Sequence, residues 1–333
     1  MIEMPSYSPH VLKTLFFGTQ VSPCLDFSIK GLKKSGEAFA AVERISVSGV
    51  QEKFPAVIDG GKIRLAREGE RSTHILKPAP WDETIATRRH IPANEHLTMQ
   101  IASQVYGIQT ADNGLCLSSD GQLVYITRRF DILPDGTKAE MEDFASVCGR
   151  NEQTDGIHFK YSGTYEDIAL GIRKYVSGWM VDMERFFELV VFNYIYGNGD
   201  DHLKNFSLIR QGEDYRLAPA YDLLNTNLHV QGDDFGLDGG LATDIPISEV
   251  YKRTGHPCRI DFEQFASRIG ILPIRANRIL DKYSTIPSAS LDMIHRSFLP
   301  EKMQRLYIRT LKERTARFIR MGSPMKDSAL EGV

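Results

Sequence analysis

No stretch of this chain stays apolar over the roughly 18 residues that a membrane span needs. Its start, Met1 to Phe17, lacks the charged, apolar and small-residue progression of a secretory leader. The expectation is a cytoplasmic protein. Cysteine is scarce: Cys24, Cys116, Cys148 and Cys258 stand far apart and form no C-x-x-C pair. That excludes a zinc knuckle or a dithiol motif and leaves reduced, mostly buried thiols. A basic excess is missing too, with 40 Lys and Arg against 43 Asp and Glu and a formal charge of −3. Contact with nucleic acid is therefore expected through a partner and not through a phosphate-neutralising face of this chain. His90 and His96 belong to no H-E-x-x-H spacing, and there is no G-x-S-x-G elbow, so zinc hydrolases and α/β-hydrolases drop out. Asp233, Asp234 and Asp238 miss the alternating positions of a Ca²⁺ loop and read as a flexible acidic loop.

What is present suits a cleft between two lobes, because 333 residues exceed one small core. Short strand-like pieces fill the first third: Ile45 to Val50, Phe54 to Ile58, Ile63 to Leu65 after the Gly60-Gly61 turn, and His74 to Leu76. Leu97, Ile101 and Val105 recur every four residues between Pro92 and Gly107, which predicts an amphipathic helix packed on that sheet. A strand from Leu123 to Thr127 leads toward Pro134 and Gly136, where the boundary between lobes is placed. Beyond it, Met183 to Tyr196 reads as a buried helix closed by Gly197. A hairpin follows, from Phe206 to Ile209 and Tyr215 to Leu217. Gln231 to Gly240 reads as mobile, and Glu301 to Met321 as a closing amphipathic helix.

The chemistry concentrates in Gly197-Asn198-Gly199-Asp200-Asp201-His202-Leu203-Lys204-Asn205, a polar loop anchored between a buried helix and a strand. Asp200 and Asn205 have the interval at which protein kinases place a carboxylate for the substrate hydroxyl and an amide for magnesium. Asp222, after the hairpin, could supply a second hard oxygen for a phosphate-bound Mg²⁺. Lys204 could steady the transferring phosphate, or pair with Asp201. A solvated turn after a helix would use the same residue types. In the first lobe, Ser46-Val47-Ser48-Gly49-Val50-Gln51-Glu52-Lys53 could cover phosphates with backbone N–H groups, or be a plain hairpin; its one glycine makes it no Walker A sequence. Lys77 ends a strand before Pro78, where a lysine can reach α- and β-phosphates, and Glu95 could pair with it. Taken alone, the pair is explained more simply by a surface Lys and a first-turn Glu favoured by the helix dipole.

Read in order, SVSGVQEK, HILKP, NEHLTMQIASQVYGI, RRFD, EDFASV, KYSGTYEDI, GNGDDHLKNFSLI and YRLAPAYDLL resemble the HipA family of bacterial serine/threonine kinases, from about Arg44 to Thr226. The resemblance implies a two-lobed, kinase-like α/β (α+β) fold, with a β-rich N-terminal lobe over 1–132, a mainly helical C-terminal lobe over 133–325 and a flexible tail over 326–333. It implies Asp200 as catalytic base, Asn205 and Asp222 as magnesium ligands, and Lys77 as the ATP lysine supported by Glu95. Ser48, Gly49, Val50, Gln51, Glu52 and Lys53 would form the phosphate-covering loop. Arg128, Arg129 and Phe130 would form the adenine-side hinge, and His202, Lys204, Asn205 and Tyr221 further nucleotide contacts. The hinge departs from the family's usual acidic residue before Arg-Phe, and Asp201 adds a carboxylate to the catalytic loop.

Ser46 matches a position at which the family autophosphorylates, and Ser48 makes a pair. That pair, with the short stretch before Arg44, is similar to the HipT kinases of three-component HipBST systems, whose missing N-terminal piece is a separate protein. The cofactors implied are ATP and Mg²⁺. The partners implied are a HipS-like small protein, a HipB-like DNA-binding antitoxin and a protein substrate of the aminoacyl-tRNA synthetase kind. A small-molecule kinase and a non-catalytic nucleotide-binding regulator stay open beside the protein kinase.

Overall fold

The computed structural model describes residues 6–35, 51–133 and 135–319. A five-stranded antiparallel sheet dominates the first part, in the order β2-β1-β3-β5-β4. Its strands are β1 (Phe54–Asp59), β2 (Lys62–Leu65), β3 (His74–Lys77), β4 (Asn113–Leu117) and β5 (Leu123–Arg128). Gly60 and Gly61 turn β1 into β2 with φ of 55° and 76°, a conformation glycine adopts without strain. Alternation along β5 sets its two faces: Leu123 and Tyr125 join the main core, while Val124 and Ile126 face a second cluster. That second cluster is closed by α1 (Pro9–Leu15) and the start of α2 (Ile29–Ser35), through Leu12, Leu15, Phe16 and Ile29.

On the main-core face lies α3 (Ile91–Gln104), which buries Leu97, Met99, Ile101 and Ala102. Pro92 stands in its first turn, where a missing N–H costs nothing. The second half is helical around a three-stranded sheet of β6 (Met141–Asp143), β7 (Ser207–Gln211) and β8 (Asp214–Leu217). Short helices α4 (Phe144–Val147) and α5 (Glu152–Asp155) lead to α6 (Tyr165–Tyr175) and α7 (Trp179–Tyr196). The chain closes with α8 (Glu249–Thr254), α9 (Arg259–Arg268), α10 (Pro273–Lys282), α11 (Ser288–His295) and α12 (Glu301–Ala316). Among the described residues no helix is long and apolar enough to cross a membrane.

Helix α7 starts four residues before the apolar stripe that announced it, and it is the centre of the main core. Phe186, Phe187, Val191, Phe192 and Tyr196 are wholly buried on it. The segment 231–240 departs from expectation. Leu237 is buried, Phe235 packs on Tyr165, Tyr194 and Phe262, and Asp234 meets Arg314 at 3.0 Å and His256 at 2.7 Å. Gly236 and Gly239 pack closely on neighbouring backbone and Asp234 is paired, so this is a fitted strap and not a free acidic loop. The strand expected at Ile45 to Val50 lies outside the described residues.

Candidate active site

The polar loop owes its position to the way α7 ends. Gly197 takes φ 72°, and a side chain there would stand 2.8 Å from Asn225 Oδ1, so the helix stops and turns on a glycine. Gly199 N then donates to Thr226 Oγ1 at 2.9 Å. Two adjacent carboxylates follow and meet different environments. Asp201 turns into the protein and accepts from Tyr165 OH at 2.5 Å, Asn193 Nδ2 at 3.0 Å and Gly236 N at 3.0 Å. Burial pushes its carboxyl up to about 7 against these donors. The extra carboxylate is therefore an anchor of the loop and does not pair with Lys204, whose Nζ lies 3.9 Å from Asp143 Oδ2.

Asp200 receives a hydrogen bond from Tyr161 OH at 2.9 Å, and its backbone carbonyl accepts from Asn205 Nδ2 at 3.0 Å. Burial pushes the Asp200 carboxyl up to about 7, opposed by the Lys160 charge and the Tyr161 hydroxyl. Such a value suits a group that must take and release a proton near neutrality. Because Asn205 uses its amide nitrogen inward, its Oδ1 is left as an acceptor.

Asp222, at the end of the stretch after β8, has φ 57°, the left-handed region that non-glycine residues seldom occupy. Its carboxylate bridges two ammonium groups: Lys77 at Oδ1, and Lys53 Nζ at Oδ2 at 3.2 Å. Lys77 comes from the end of β3 and also pairs with Glu95 Oε1, from the first turns of α3, at 2.6 Å. With Lys77 2 % and Glu95 1 % exposed, the surface-lysine reading is excluded. Burial alone would raise the Asp222 carboxyl, but Lys53 and Lys77 together hold it well below the usual range. The same carboxylates overcome burial at Lys77 and hold it protonated. At Lys53 burial prevails and lowers the pKa.

Around this centre, His202 is wholly buried, and among the described residues neither ring nitrogen has a hydrogen-bond partner. Its ring meets Tyr161 edge-on at 5.1 Å, and burial drives its pKa down to about 3, so it stays neutral. Tyr221 donates to the Lys204 carbonyl at 2.9 Å and stacks obliquely on Phe130 at 5.7 Å. Gln51 Nε2 reaches the Pro78 carbonyl at 3.4 Å, and Glu52 accepts from Trp81 N at 3.2 Å. Ser46, Ser48, Gly49 and Val50 lie outside the described residues. Two hinge side chains face elsewhere. Arg128 binds Asp112 and the Thr14 carbonyl, both at 2.7 Å, and Arg129 forks onto Asp131 at 2.6 and 3.0 Å. Phe130 is the hinge side chain seen against Tyr221 among the described contacts.

Asn205 Oδ1 and the Asp222 carboxylate are hard oxygen donors that fit Mg²⁺. Among the described residues no group of three or more His, Cys, Asp and Glu side chains forms a metal cage. The pair thus suits a cation that arrives with phosphates and keeps most of its ligands from them. Lys160 and Tyr161 were missed by sequence reasoning. They lie in KYSGTYEDI, about forty residues before the Gly197–Asn205 loop, and no spacing rule links the two segments.

Residues 45–290 match the family of HipA-like C-terminal domains. Two Sinorhizobium fredii proteins, provisionally named as the kinases Y4mE and Y4dM, are 30% and 35% identical. The matches cover 55% and 57% of this chain and 43% and 47% of those proteins. The serine/threonine-protein kinase toxin HipA of Shewanella oneidensis is 25% identical over 60% of this chain and 47% of its own. The chain thus spans about half the length of these curated relatives. In fold it is similar to a chain of the Shewanella oneidensis complex of HipA, HipB and operator DNA, with a TM-score of 0.63 and 19% identity over 83% of this chain and 64% of that one.

Proposed function

Since the chain belongs to the HipA-like C-terminal domain family, we propose that its cleft transfers the γ-phosphate of ATP to a serine or threonine hydroxyl of a protein. The observation that carries this reading is the buried Lys77, held by Glu95 and Asp222 at once, in one electrostatic cluster with Asp200. In the reaction the substrate O–H bond breaks as its oxygen attacks the γ-phosphorus, the proton passes to the Asp200 carboxylate, and ADP leaves. Lys77 would meet the α- and β-phosphates and Lys53 a further phosphate, while Asn205 and Asp222 would hold Mg²⁺. Bound there, the cation would supply positive charge against the negative charge that develops during phosphoryl transfer. His202 and Tyr221 line the nucleotide side as neutral, rigid groups.

Family precedent extends the proposal to a toxin of a HipBST- or HipBA-like system. The substrate would be of the aminoacyl-tRNA synthetase kind, the partners a HipS-like protein and a HipB-like DNA-binding antitoxin, and Ser46 and Ser48 the autophosphorylated positions. The related HipA assembled with HipB and operator DNA supports the antitoxin partner. The test is ATP-dependent phosphate incorporation with Mg²⁺ into the chain and into added lysate, read by mass spectrometry. Wild type should label itself and a lysate protein, and Asp200→Ala should lose at least about 100-fold of the rate, as expected for a general base. ATP binding without transfer by wild type would make the chain a nucleotide-binding regulator instead. Transfer confined to metabolites would make it a small-molecule kinase.

A further inference from the structure

Tyr161 lies in a short turn, Phe159–Tyr161, remote in sequence from the catalytic loop yet bonded to it. Its hydroxyl donates to Asp200 Oδ1 at 2.9 Å. Its ring is fixed on several sides: the Lys160 ammonium stands 4.9 Å from the ring centre, His202 meets it edge-on at 5.1 Å, and His158 approaches at 6.4 Å. The backbone is fixed as well, because Asp238 N, on the glycine-rich strap, donates to the Tyr161 carbonyl at 3.0 Å. A tyrosine held at ring, backbone and hydroxyl is a poor surface ornament. It resembles a brace.

Resting on the kinase reading above, we propose that Tyr161 is a positioning residue that fixes the rotamer of Asp200, by occupying Oδ1 and presenting Oδ2 to the substrate hydroxyl. A carboxylate with both oxygens free samples rotations that misdirect its lone pairs. One charge-assisted hydrogen bond from a rigid donor removes that freedom before substrate arrives. Lys160 completes the device. Nine per cent exposed, it packs its ammonium on the Tyr161 ring and places a positive charge beside Asp200. The groups bearing on Asp200 are thus Lys160 and Tyr161 from the turn, Asp201 from its own loop, and Asp222 from beyond β8. Tyr161 reaches the carboxylate itself, through a hydrogen bond to Oδ1.

The experiment compares Tyr161→Phe, which deletes the hydroxyl and keeps the ring, with Tyr161→Leu, which deletes both. Phosphate transfer to protein, ATP affinity by calorimetry and thermal unfolding are measured on each full-length chain. If Tyr161 acts through Asp200, Tyr161→Phe lowers kcat about ten-fold, as expected for losing one hydrogen bond to a charged group. KM for ATP, calorimetric ATP affinity and the melting temperature should stay at wild-type values. Tyr161→Leu should lose at least as much kcat and melt at a lower temperature. A Tyr161→Phe variant with wild-type kcat overturns the inference, as does one whose loss lies in KM or ATP affinity. Asp200→Ala separates this failure from that of the broader reading. Wild-type transfer that depends on Asp200 while Tyr161→Phe is fully active defeats the brace alone, and no transfer by wild type defeats both.

Discussion

Asp222 neutralises two lysines that come from distant parts of the chain, and its removal should be costly for that reason. Asp222→Ala leaves the half-buried Lys53 and the buried Lys77 as neighbouring cations without their shared carboxylate, with Glu95 still paired to Lys77. A loss of about 3–5 kcal/mol is expected, the usual cost of breaking a buried ion pair from one side, and urea unfolding at pH 7 measures it. Lys77→Met should be milder in stability. It leaves Asp222 paired with Lys53, and Glu95, raised by burial, can take up a proton. Its cost should appear in ATP affinity, with Kd rising at least about ten-fold by calorimetry, because a point charge for the phosphates has gone. The neighbours Asp200 and Asp201 show how environment divides one residue type into two tasks. Three donors turn Asp201 inward, whereas Asp200 meets a single hydroxyl and the cleft.

At the scale of elements, the strap over residues 231–240, with Leu241 after it, holds the polar loop that follows α7. Gly236 N bonds Asp201, Gly239 N bonds the Gly163 carbonyl at 2.9 Å, and the carbonyls of Gly240 and Leu241 receive the first N–H groups of α6 at 3.0 Å. A Cβ at Gly236 would lie 2.5 Å from the Asp201 backbone nitrogen, and one at Gly239 would lie 2.7 Å from the Gly163 carbonyl oxygen. Backbone cannot yield as a flexible side chain can. Gly236→Ala should therefore push the strap off the loop, costing about 1–3 kcal/mol as overpacking does and reducing phosphate transfer more than ATP binding. Transfer assays and calorimetry on the same sample check the split. Gly232→Ala is the control, since its Cβ would meet nothing within 4 Å.

Across the whole molecule, neutral histidines that tie elements together make stability sensitive to mild acid, and the buried His74 and the half-buried His229 are two of them. His74 ties β3 to α1 through the Leu15 carbonyl at 2.8 Å, and His229 ties α3 to the segment after Asn225 through Asn94 at 2.9 Å. Burial lowers each pKa from 6.5 to about 4. The folded protein thus binds these protons less readily than the unfolded chain. The stability is present above pH 6.5 and is lost progressively as pH falls toward 4, by up to about 3 kcal/mol per histidine at 1.36 kcal/mol per pKa unit. Thermal melts between pH 7 and 4 should show this fall, and His74→Gln should flatten part of it.

Much of this architecture was legible one segment at a time. The period of α3, the Gly60-Gly61 turn, the apolar run of α7 stopped by Gly197 and the hairpin before Asp222 are local patterns, and local sterics and hydrogen bonding decide them. The interval from Asp200 to Asn205 belongs to the same class, because one loop carries both. Position in sequence alone could not tell Lys77 from a surface lysine, Asp201 from a partner of Lys204, or the 231–240 strap from a mobile acidic loop. Nor could it bring Tyr161 to Asp200. Each depends on which groups from distant segments come within about 3 Å and on whether water is excluded, and those are properties of tertiary packing.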